Sequence, residues 1–290
     1  MITLPNGIVP AISDLTANNI LFTGDYGIGK SGLLASTEYL LADPEDKLRS
    51  YPCQRVHLTN WQDHKDFATL ISKMSPGTFK GIGLDSLNIS YDHCLTWVMN
   101  NVKFDGIKIT HPSEKPQTAY NRVTSEFITW LRSVTYLGYH VIATCHVSIK
   151  EVRSKNGTVY DRWIPAFTGG SSGSSYSSVL KVFSIIGFMT LETVERPPTG
   201  VVMGKKVVDT RLDASRIDTV ETRVIYFGKY GNWLTNNKEG GFPDKVILNG
   251  NWRDDWKILQ DSWGKTETVT GVAEEPVEGT TLKVVEGEIK

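Results

Sequence analysis

One short segment constrains the fold more than any other part of the chain. Residues 21–34 read LFTGDYGIGKSGLL and place a glycine-rich stretch between an apolar run of strand length and a segment that suits a helix. Within it, Gly24 to Ser31 match the pattern G-x-x-x-x-G-K-[ST] at every fixed position. In this pattern the glycines let successive backbone N–H groups turn inward around phosphate oxygens. The following helix adds its positive N-terminal end. The segment therefore predicts a phosphate-binding loop between a strand and a helix.

The pattern also assigns roles to individual residues of the loop. We expect the Lys30 ammonium to reach the β and γ phosphates and the Ser31 hydroxyl to bind Mg²⁺. ATP and Mg²⁺ are therefore the predicted cofactors. The alternative is a glycine-rich turn without a ligand. The residues predicted to surround the nucleotide are Gly24, Asp25, Tyr26, Gly27, Ile28, Gly29, Lys30, Ser31 and Gly32.

Acidic residues follow two of the apolar runs. A phosphate loop requires a carboxylate to support the metal, normally at the end of a nearby strand, and FKGIGLDSL supplies Asp85. A strand-ending Asp that caps a helix is the alternative for this residue. Hydrolysis also needs a group that orients or deprotonates water. Asp43, Glu45 and Asp46 in EYLLADPEDKL are candidates, and residue type alone does not choose among them.

Apolar runs of strand length alternate with helix-like segments along the chain. The predicted strands span residues 19–24, 38–42, 54–59, 81–87, 140–147, 184–193 and 222–228. The predicted helices span residues 30–36, 63–74, 91–100, 117–137 and 174–182. Short, nearly all-apolar strands suit a parallel sheet covered on both faces, and their alternation with helices favours an α/β fold. A Gly/Ser-rich run at 168–178 is expected to form a mobile loop.

The charge of the chain is distributed unevenly. Residues 264–290 contain six Glu, three Lys and no aromatic residue, which is typical of a disordered acidic tail. The remaining residues carry 28 basic and 26 acidic side chains. The three cysteines lie far apart, so neither a disulfide framework nor a zinc site is indicated. Because no leader and no apolar stretch of about 18 residues occurs, we expect a cytoplasmic protein without a membrane partner.

Four motifs occur in an order that resembles a known group of proteins. They are GDYGIGKS (24–31), LADPED (41–46), GLDSL (83–87) and ATCHV (143–147). In this order they resemble the motifs of RecA-like P-loop ATPases encoded by bacteriophages, whose best-described members are Sak-type single-strand annealing and recombination ATPases. The later segments IPAFTGG (164–170) and FPDKVILNGNWRDDW (242–256) are similar to the segments that follow in that group.

The resemblance implies a fold and a division of the chain. It covers roughly residues 18–258 and implies a RecA-like α/β core with a mostly parallel central sheet flanked by helices. Residues 1–17 are then an N-terminal extension, and residues 259–290 form the acidic tail. If the chain is phage-encoded, its location is the host cell cytoplasm.

The resemblance also implies roles for residues that chemistry alone leaves open. Glu45 takes the place of the glutamate that activates water, and His146 takes the place of a polar sensor of the γ-phosphate. A core histidine at a strand end is the alternative for His146. Asp25 and Tyr26 stand where the group usually has small residues or proline. DPED likewise replaces the commoner Asp-Thr-Glu-Gly, so nucleotide binding with slow hydrolysis is expected.

Residues 147–178 take the place of loops that face single-stranded DNA in RecA-like proteins. Cationic side chains can follow the phosphate backbone while aromatic rings stack on unpaired bases. An Asn-Gly turn signal in SKNGTVY gives an ordinary solvated hairpin as the alternative. The candidates for DNA contact are Lys150, Arg153, Lys155, Arg162 and Trp163.

The expected function is that of a Mg²⁺-dependent ATPase acting on single-stranded DNA in recombination, annealing or replication. The resemblance implies a homo-oligomer, ring or filament, in which a basic residue of a neighbouring subunit completes the site. The acidic tail is expected either to recruit a protein partner or to increase solubility. A non-catalytic nucleotide-dependent scaffold or loader and a nucleotide-kinase-like phosphoryl transferase remain as alternatives. Candidates for the basic residue are Lys205, Lys206, Arg211 and Lys229.

Overall fold

A computed structural model of the chain describes most of the residues between 14 and 270. The described ranges are 14–75, 77–154, 156–167, 174–196, 199–202, 205–208, 218–228, 234–237, 240–265 and 269–270. Only the backbone is described for residues 174–176, 194–196, 199–202, 205–208, 218–220 and 269–270. Most of the predicted N-terminal extension and of the acidic tail lies outside these ranges, as do Lys155, Arg211 and Lys229. No helix within them combines the length and apolar character that crossing a bilayer requires.

Strands and helices alternate along the chain. The helices are α1 (Lys30–Ala35), α2 (Trp61–Ser72), α3 (Leu87–Asn101), α4 (Pro116–Thr135), α5 (Ser174–Leu180) and α6 (Asp255–Ser262). The strands are β1 (Ile20–Gly24), β2 (Leu40–Asp43), β3 (Arg55–His57), β4 (Gly81–Leu84), β5 (His140–Arg153), β6 (Val159–Pro165), β7 (Ile185–Arg196), β8 (Thr199–Val202), β9 (Lys205–Val208), β10 (Asp218–Tyr226), β11 (Asn236–Asn237), β12 (Lys245–Ile247) and β13 (Val269–Thr270).

The main sheet has a parallel centre and an antiparallel flank. Its strand order is β13-β12-β10-β7-β1-β5-β4-β2-β3, and every pairing from β7 to β3 is parallel. β10 joins β7 and β12 in antiparallel fashion, while β6 pairs with β5 and β11 with β7. β8 and β9 form a separate two-stranded sheet. The predicted fold class, an α/β protein with a mostly parallel central sheet flanked by helices, is confirmed.

Alternate side chains of β1 enter two hydrophobic cores on opposite faces of the sheet. Leu21 packs in the core that includes residues of α2, α3 and α4, whereas Ile20 and Phe22 pack in the core that includes residues of α1 and α6. This double coverage is the reason that the central strands are nearly all apolar. Polar side chains therefore converge at the end of the sheet where the parallel strands finish. We call this end the carboxyl edge and the opposite end the amino edge.

Three segments differ from the sequence-based prediction. β5 does not end near residue 147 but continues to Arg153, because it pairs with β6 in a hairpin. Residues 174–178 were predicted both as part of the Gly/Ser-rich loop and as the start of the helix at 174–182. They belong to α5, which buried Val179 anchors to the core, so the helix is confirmed there, and residues 168–173 lie outside the described ranges. The third is the segment around residue 258, the predicted end of the ATPase domain, where α6 runs from Asp255 to Ser262 and its Leu259 is fully buried.

Candidate nucleotide-binding site

The predicted phosphate loop connects β1 directly to α1. Gly27 and Gly29 have φ angles of +76° and +89°, a region that favours glycine. A Cβ atom on Gly24 would overlap the carbonyl oxygen of Met189, and one on Gly29 would lie 2.9 Å from the Arg223 guanidinium. Backbone conformation and close packing therefore both require glycine in this loop.

The Lys30 side chain folds back across the loop. Its Nζ donates to the carbonyl oxygens of Gly24, at 2.9 Å, and Asp25, at 2.5 Å, and the residue is only 5% exposed. Burial lowers the pKa of Lys30 to about 8, while nearby Asp85 acts in the opposite direction. Lys30 therefore brings a positive charge into the loop at neutral pH.

Asp85 follows β4 and lies close to Ser31 at the start of α1. The Thr144 hydroxyl donates to its Oδ1, whereas the buried Oδ2 has no hydrogen-bond partner among the described residues. Burial raises the pKa of Asp85, and the Ser31 and Thr144 hydroxyls act in the opposite direction. A buried carboxylate oxygen without a protein partner beside a hydroxyl fits Mg²⁺, which prefers oxygen ligands.

Ser31 and Asp85 are therefore the residues that would hold Mg²⁺. Within the described ranges, no group of three or more His, Cys, Asp or Glu side chains has the arrangement of a metal site. A Mg²⁺ ion at this edge would take its other ligands from water and from phosphate oxygens, as Mg²⁺ commonly does.

Two of the three acidic residues at the end of β2 and just after it have structural partners. Asp43 is fully buried and accepts hydrogen bonds from the backbone N–H groups of Lys47 and Leu48, which fixes the turn after the strand. Asp46 lies nearer the surface and pairs with Arg55 at 2.8 Å. Arg55 also pairs with Asp43, at 3.1 Å, so one arginine holds both carboxylates.

Glu45, the third of these acidic residues, contacts groups at the carboxyl edge of the sheet. It accepts a hydrogen bond from the Ser86 hydroxyl, its Oε1 lies 3.4 Å from Nε2 of His146, and its Oε2 pairs with the Lys47 ammonium. Burial raises the pKa of Glu45, but these hydrogen bonds outweigh it and lower the pKa to about 2. The carboxylate is thus ionised and held among three polar side chains.

His146 lies where β5 reaches the same edge. It stands opposite Gly24 in the β1–β5 pairing, and its backbone N–H donates to Oδ1 of Asn88 at 2.6 Å. Its ring stacks on Tyr26 of the loop, with centroids 3.8 Å apart and planes inclined by 17°. His146 therefore contacts both Tyr26 of the phosphate loop and Glu45.

A cavity of about 220 Å³ opens at this edge. It is smaller than the roughly 300–1,000 Å³ of a typical small-molecule pocket, so it suits the phosphates rather than a whole nucleotide. Its lining residues are Gly27, Gly29, Lys30, Ser31, Lys47, Tyr51, Asp85 and His146.

Side chains that are distant in the sequence pack against the phosphate loop and the start of α1. Arg223 of β10 binds Asp255 of α6 through two hydrogen bonds, of 2.5 and 2.9 Å, and lies against Gly29. A Cβ atom on Gly32 would lie 3.1 Å from Cβ of Trp252. Sequence reasoning assigned no role to these residues. Trp252 and Asp255 lie in the segment 242–256 that contributed to the resemblance, whereas Arg223 lay only within the strand predicted at 222–228.

The DNA-binding candidates that the structure describes, Lys150, Arg153, Arg162 and Trp163, lie on strands β5 and β6 of a hairpin rather than on a loop. Lys150 stands opposite Arg162 in the ladder, and Arg153 stands opposite Val159. The half-buried ring of Trp163 packs on Phe188, with centroids 6.1 Å apart, so it belongs to the hydrophobic layer under the hairpin. The hairpin that was the alternative for SKNGTVY is therefore present.

Together, the loop after β1, the carboxylate after β4 and His146 within β5 define a P-loop nucleotide-binding protein. The chain belongs to the AAA domain family, whose model matches residues 16–237. Family and site together support a P-loop ATPase.

Solved structures provide the other comparison. The chain is similar to the flagellar accessory protein FlaH from Methanocaldococcus jannaschii, with 11% identity over 80% of this chain and 85% of that chain and a TM-score of 0.34. It is also similar to the RadB recombinase, with 11% identity over 82% of this chain and 89% of that chain and a TM-score of 0.38. No curated protein sequence matches the chain.

Proposed function

We propose that this protein binds ATP with Mg²⁺, hydrolyses it slowly, and couples the nucleotide state to single-stranded DNA in phage recombination, annealing or replication. One observation carries the ATPase proposal. Lys30, Ser31, Asp85 and Glu45 come from three separate segments and meet at one edge of the sheet. These residues supply a phosphate-binding cation, two metal ligands and a base.

Each residue has a distinct part in the proposed reaction. Lys30 binds the β and γ phosphates, while Ser31 and Asp85 would hold Mg²⁺, which when bound neutralises charge on the phosphate oxygens. Glu45 orients the attacking water and accepts its proton. The water oxygen forms a bond to the γ-phosphorus, the bond to the bridging oxygen breaks, and ADP leaves with that electron pair.

The contacts around Glu45 are consistent with slow hydrolysis. Ser86, His146 and Lys47 all contact the carboxylate, and Tyr26 covers the His146 ring. These partners take up most of the roughly four acceptor sites of the carboxylate, which leaves little room for the attacking water. The same contacts favour a second candidate function, a nucleotide-dependent scaffold or loader that does not hydrolyse ATP.

The continuous strand β5 supports the proposed coupling to DNA. Lys150 follows His146 by four residues on this strand and stands opposite Arg162 in the hairpin. Arg162 donates to the Tyr160 hydroxyl at 2.8 Å and lies over its ring. A surface with cations beside an aromatic ring suits single-stranded DNA. We also propose a homo-oligomer in which a basic residue of a neighbouring subunit completes the site, with Lys205, Lys206, Arg211 and Lys229 as the candidates.

ATP hydrolysis measured with and without single-stranded DNA tests the proposal. We expect DNA to stimulate phosphate release and to increase the oligomer size in the same samples. ATP binding without phosphate release would favour the scaffold, and absence of both stimulation and assembly would contradict the DNA proposal.

Variants of the hairpin locate the DNA contact. Lys150→Ala and Arg153→Ala should weaken DNA binding and lower the salt dependence by about 0.7 per lost phosphate contact. Lys80→Ala and Arg132→Ala, on other elements, are matched controls. Equal effects of the two pairs would place the DNA elsewhere.

A further inference from the structure

Lys47 is a second lysine at the cavity, and its main chain is held firmly. It follows Glu45 by two residues, and its backbone N–H donates to Oδ1 of buried Asp43 at 3.1 Å. The side chain is 48% exposed, and its ammonium pairs with Oε2 of Glu45. A fixed backbone thus carries a half-exposed ammonium at the edge of the proposed active site.

Lys47 and Lys30 approach the same space. Both line the cavity of about 220 Å³. Burial is the main cause of the lowered pKa of Lys30, and the positive charge of Lys47 adds to it. Because like charges repel, two ammonium groups that converge on one cavity favour a polyvalent anion between them.

The two lysines differ in how tightly they are held. Lys30 is buried and donates to two carbonyl oxygens of the loop. Lys47 lies with Nζ 5.5 Å from the centroid of the exposed Tyr26 ring and has Glu45 as its ion-pair partner. A half-exposed ion pair contributes little stability, so the Lys47 ammonium can exchange partners at small cost.

We propose that Lys47 binds the terminal phosphate of ATP from within the same chain and leaves Glu45 to do so. This inference rests on the proposed ATPase function and adds to it a residue that distinguishes ATP from ADP. The exchange also frees Oε2 of Glu45 to accept a proton from water. The terminal phosphate then contacts Lys30 and Lys47 of the same subunit, in addition to any cation that a neighbouring subunit supplies.

Binding of ATP and ADP to two variants of Lys47 tests this inference. Lys47→Met removes the ammonium and keeps the apolar stem, whereas Lys47→Arg keeps the positive charge. Dissociation constants are measured by isothermal titration calorimetry with Mg²⁺ present. Lys47→Met should weaken ATP binding about 10-fold to 100-fold, as expected for the loss of one charge-assisted contact, and ADP binding less than about 2-fold. Lys47→Arg should retain most of the preference for ATP.

Lys80→Met is the matched control. Lys80 also pairs with a glutamate, Glu38, at 2.5 Å, but it precedes β4 at the opposite edge of the sheet. This variant should bind both nucleotides as the wild type does.

Four results would count against the inference or its basis. Equal weakening of ATP and ADP by Lys47→Met, or no change in either, would overturn it. Faster hydrolysis by Lys47→Met at an unchanged ATP dissociation constant would also overturn it, because Lys47 would then only restrain Glu45. A wild-type protein that binds no ATP contradicts the proposed function itself, and this is seen before any variant is compared.

Discussion

β5 carries a histidine at its start and another where it reaches the carboxyl edge, and their surroundings differ. His140 is 4% exposed, its Nδ1 lies 2.5 Å from the Tyr39 hydroxyl, and burial lowers its pKa to about 4. His146, six residues later, stacks on Tyr26 and faces the Glu45 carboxylate at 3.4 Å. One histidine is a neutral part of the packing, and the other belongs to a charged cluster.

The same contrast separates the two edges of the sheet. At the amino edge, His140 packs against the ring of Trp256. At the carboxyl edge, Lys30, Asp85 and Glu45 are all largely buried within one cluster. Burying charges is costly unless they are paired, so such a concentration marks a functional site rather than a stabilising one. The comparison of His140 with His146 shows that the position of a residue along the strand, rather than its type, decides whether it belongs to the functional site or to the packed core.

The largest expected effect is that of Lys30→Ala at the carboxyl edge. Loss of the ammonium removes the cation that the loop holds for the phosphates, so we expect ATP binding to become undetectable by calorimetry while the fold persists. Lys80→Ala at the amino edge should bind ATP as the wild type does. If Lys30→Ala bound ATP with the affinity of the wild type, the carboxyl edge would not differ from the amino edge in ATP binding.

Glu45→Gln should affect hydrolysis rather than binding. The amide cannot accept the proton of water, so kcat is expected to fall about 10²-fold to 10⁴-fold, with the ATP dissociation constant little changed. Phosphate release in single-turnover experiments measures the effect, and Glu38→Gln at the amino edge is the control. A rate close to that of the wild type would assign the base to another residue.

The free energy of unfolding should depend on pH through His140 at the amino edge. Because burial lowers its pKa from 6.5 to about 4, the unfolded chain takes up a proton first as the pH falls. The free energy of unfolding should therefore decrease by about 1.4 kcal/mol per pH unit in this range, to a total of about 3 kcal/mol. Buried His64, whose pKa is also lowered to about 4, adds a contribution of the same sign.

Urea unfolding between neutral pH and about pH 4 measures this dependence. His140→Gln should reduce the change in the free energy of unfolding per pH unit, that is, the slope. Tyr39→Phe should retain this slope, because burial rather than the tyrosine hydroxyl is the main cause of the lowered pKa of His140. An unchanged slope in His140→Gln would show that His140 is not the group that titrates.

The smallest effects are expected from two matched glycines. Gly27 and Gly138 have φ angles of +76° and +82°, and a Cβ atom at either would meet nothing within 4 Å. Substitution by Ala should cost each protein about 1–2 kcal/mol of stability through the left-handed backbone alone. Only Gly27→Ala should also weaken ATP binding. If both variants bind ATP equally well, Gly27 has no role beyond the turn.

The sequence predicted the features that depend on local patterns. The strands at the sheet centre are buried on both faces, so their apolar runs were visible, and Lys30 and Ser31 follow from the spacing of a single loop. Asp85 was predicted from its position after β4. Lys47 was not, because nothing in DPEDKL distinguishes it from a solvated lysine. Contacts of Arg223 depend on how β10 packs behind the loop, which spacing does not reveal.

The pair formed by Arg223 and Asp255 determines where the chain can be shortened. The match to the AAA domain family ends at residue 237, yet Asp255 and Trp252 lie beyond it. A chain cut at residue 237 would keep every nucleotide-binding motif but would lose Asp255, the partner of Arg223, together with buried core side chains beyond the cut, Phe242, Val246, Leu248, Trp256 and Leu259. The shortest autonomous ATP-binding fragment therefore extends at least to Ser262.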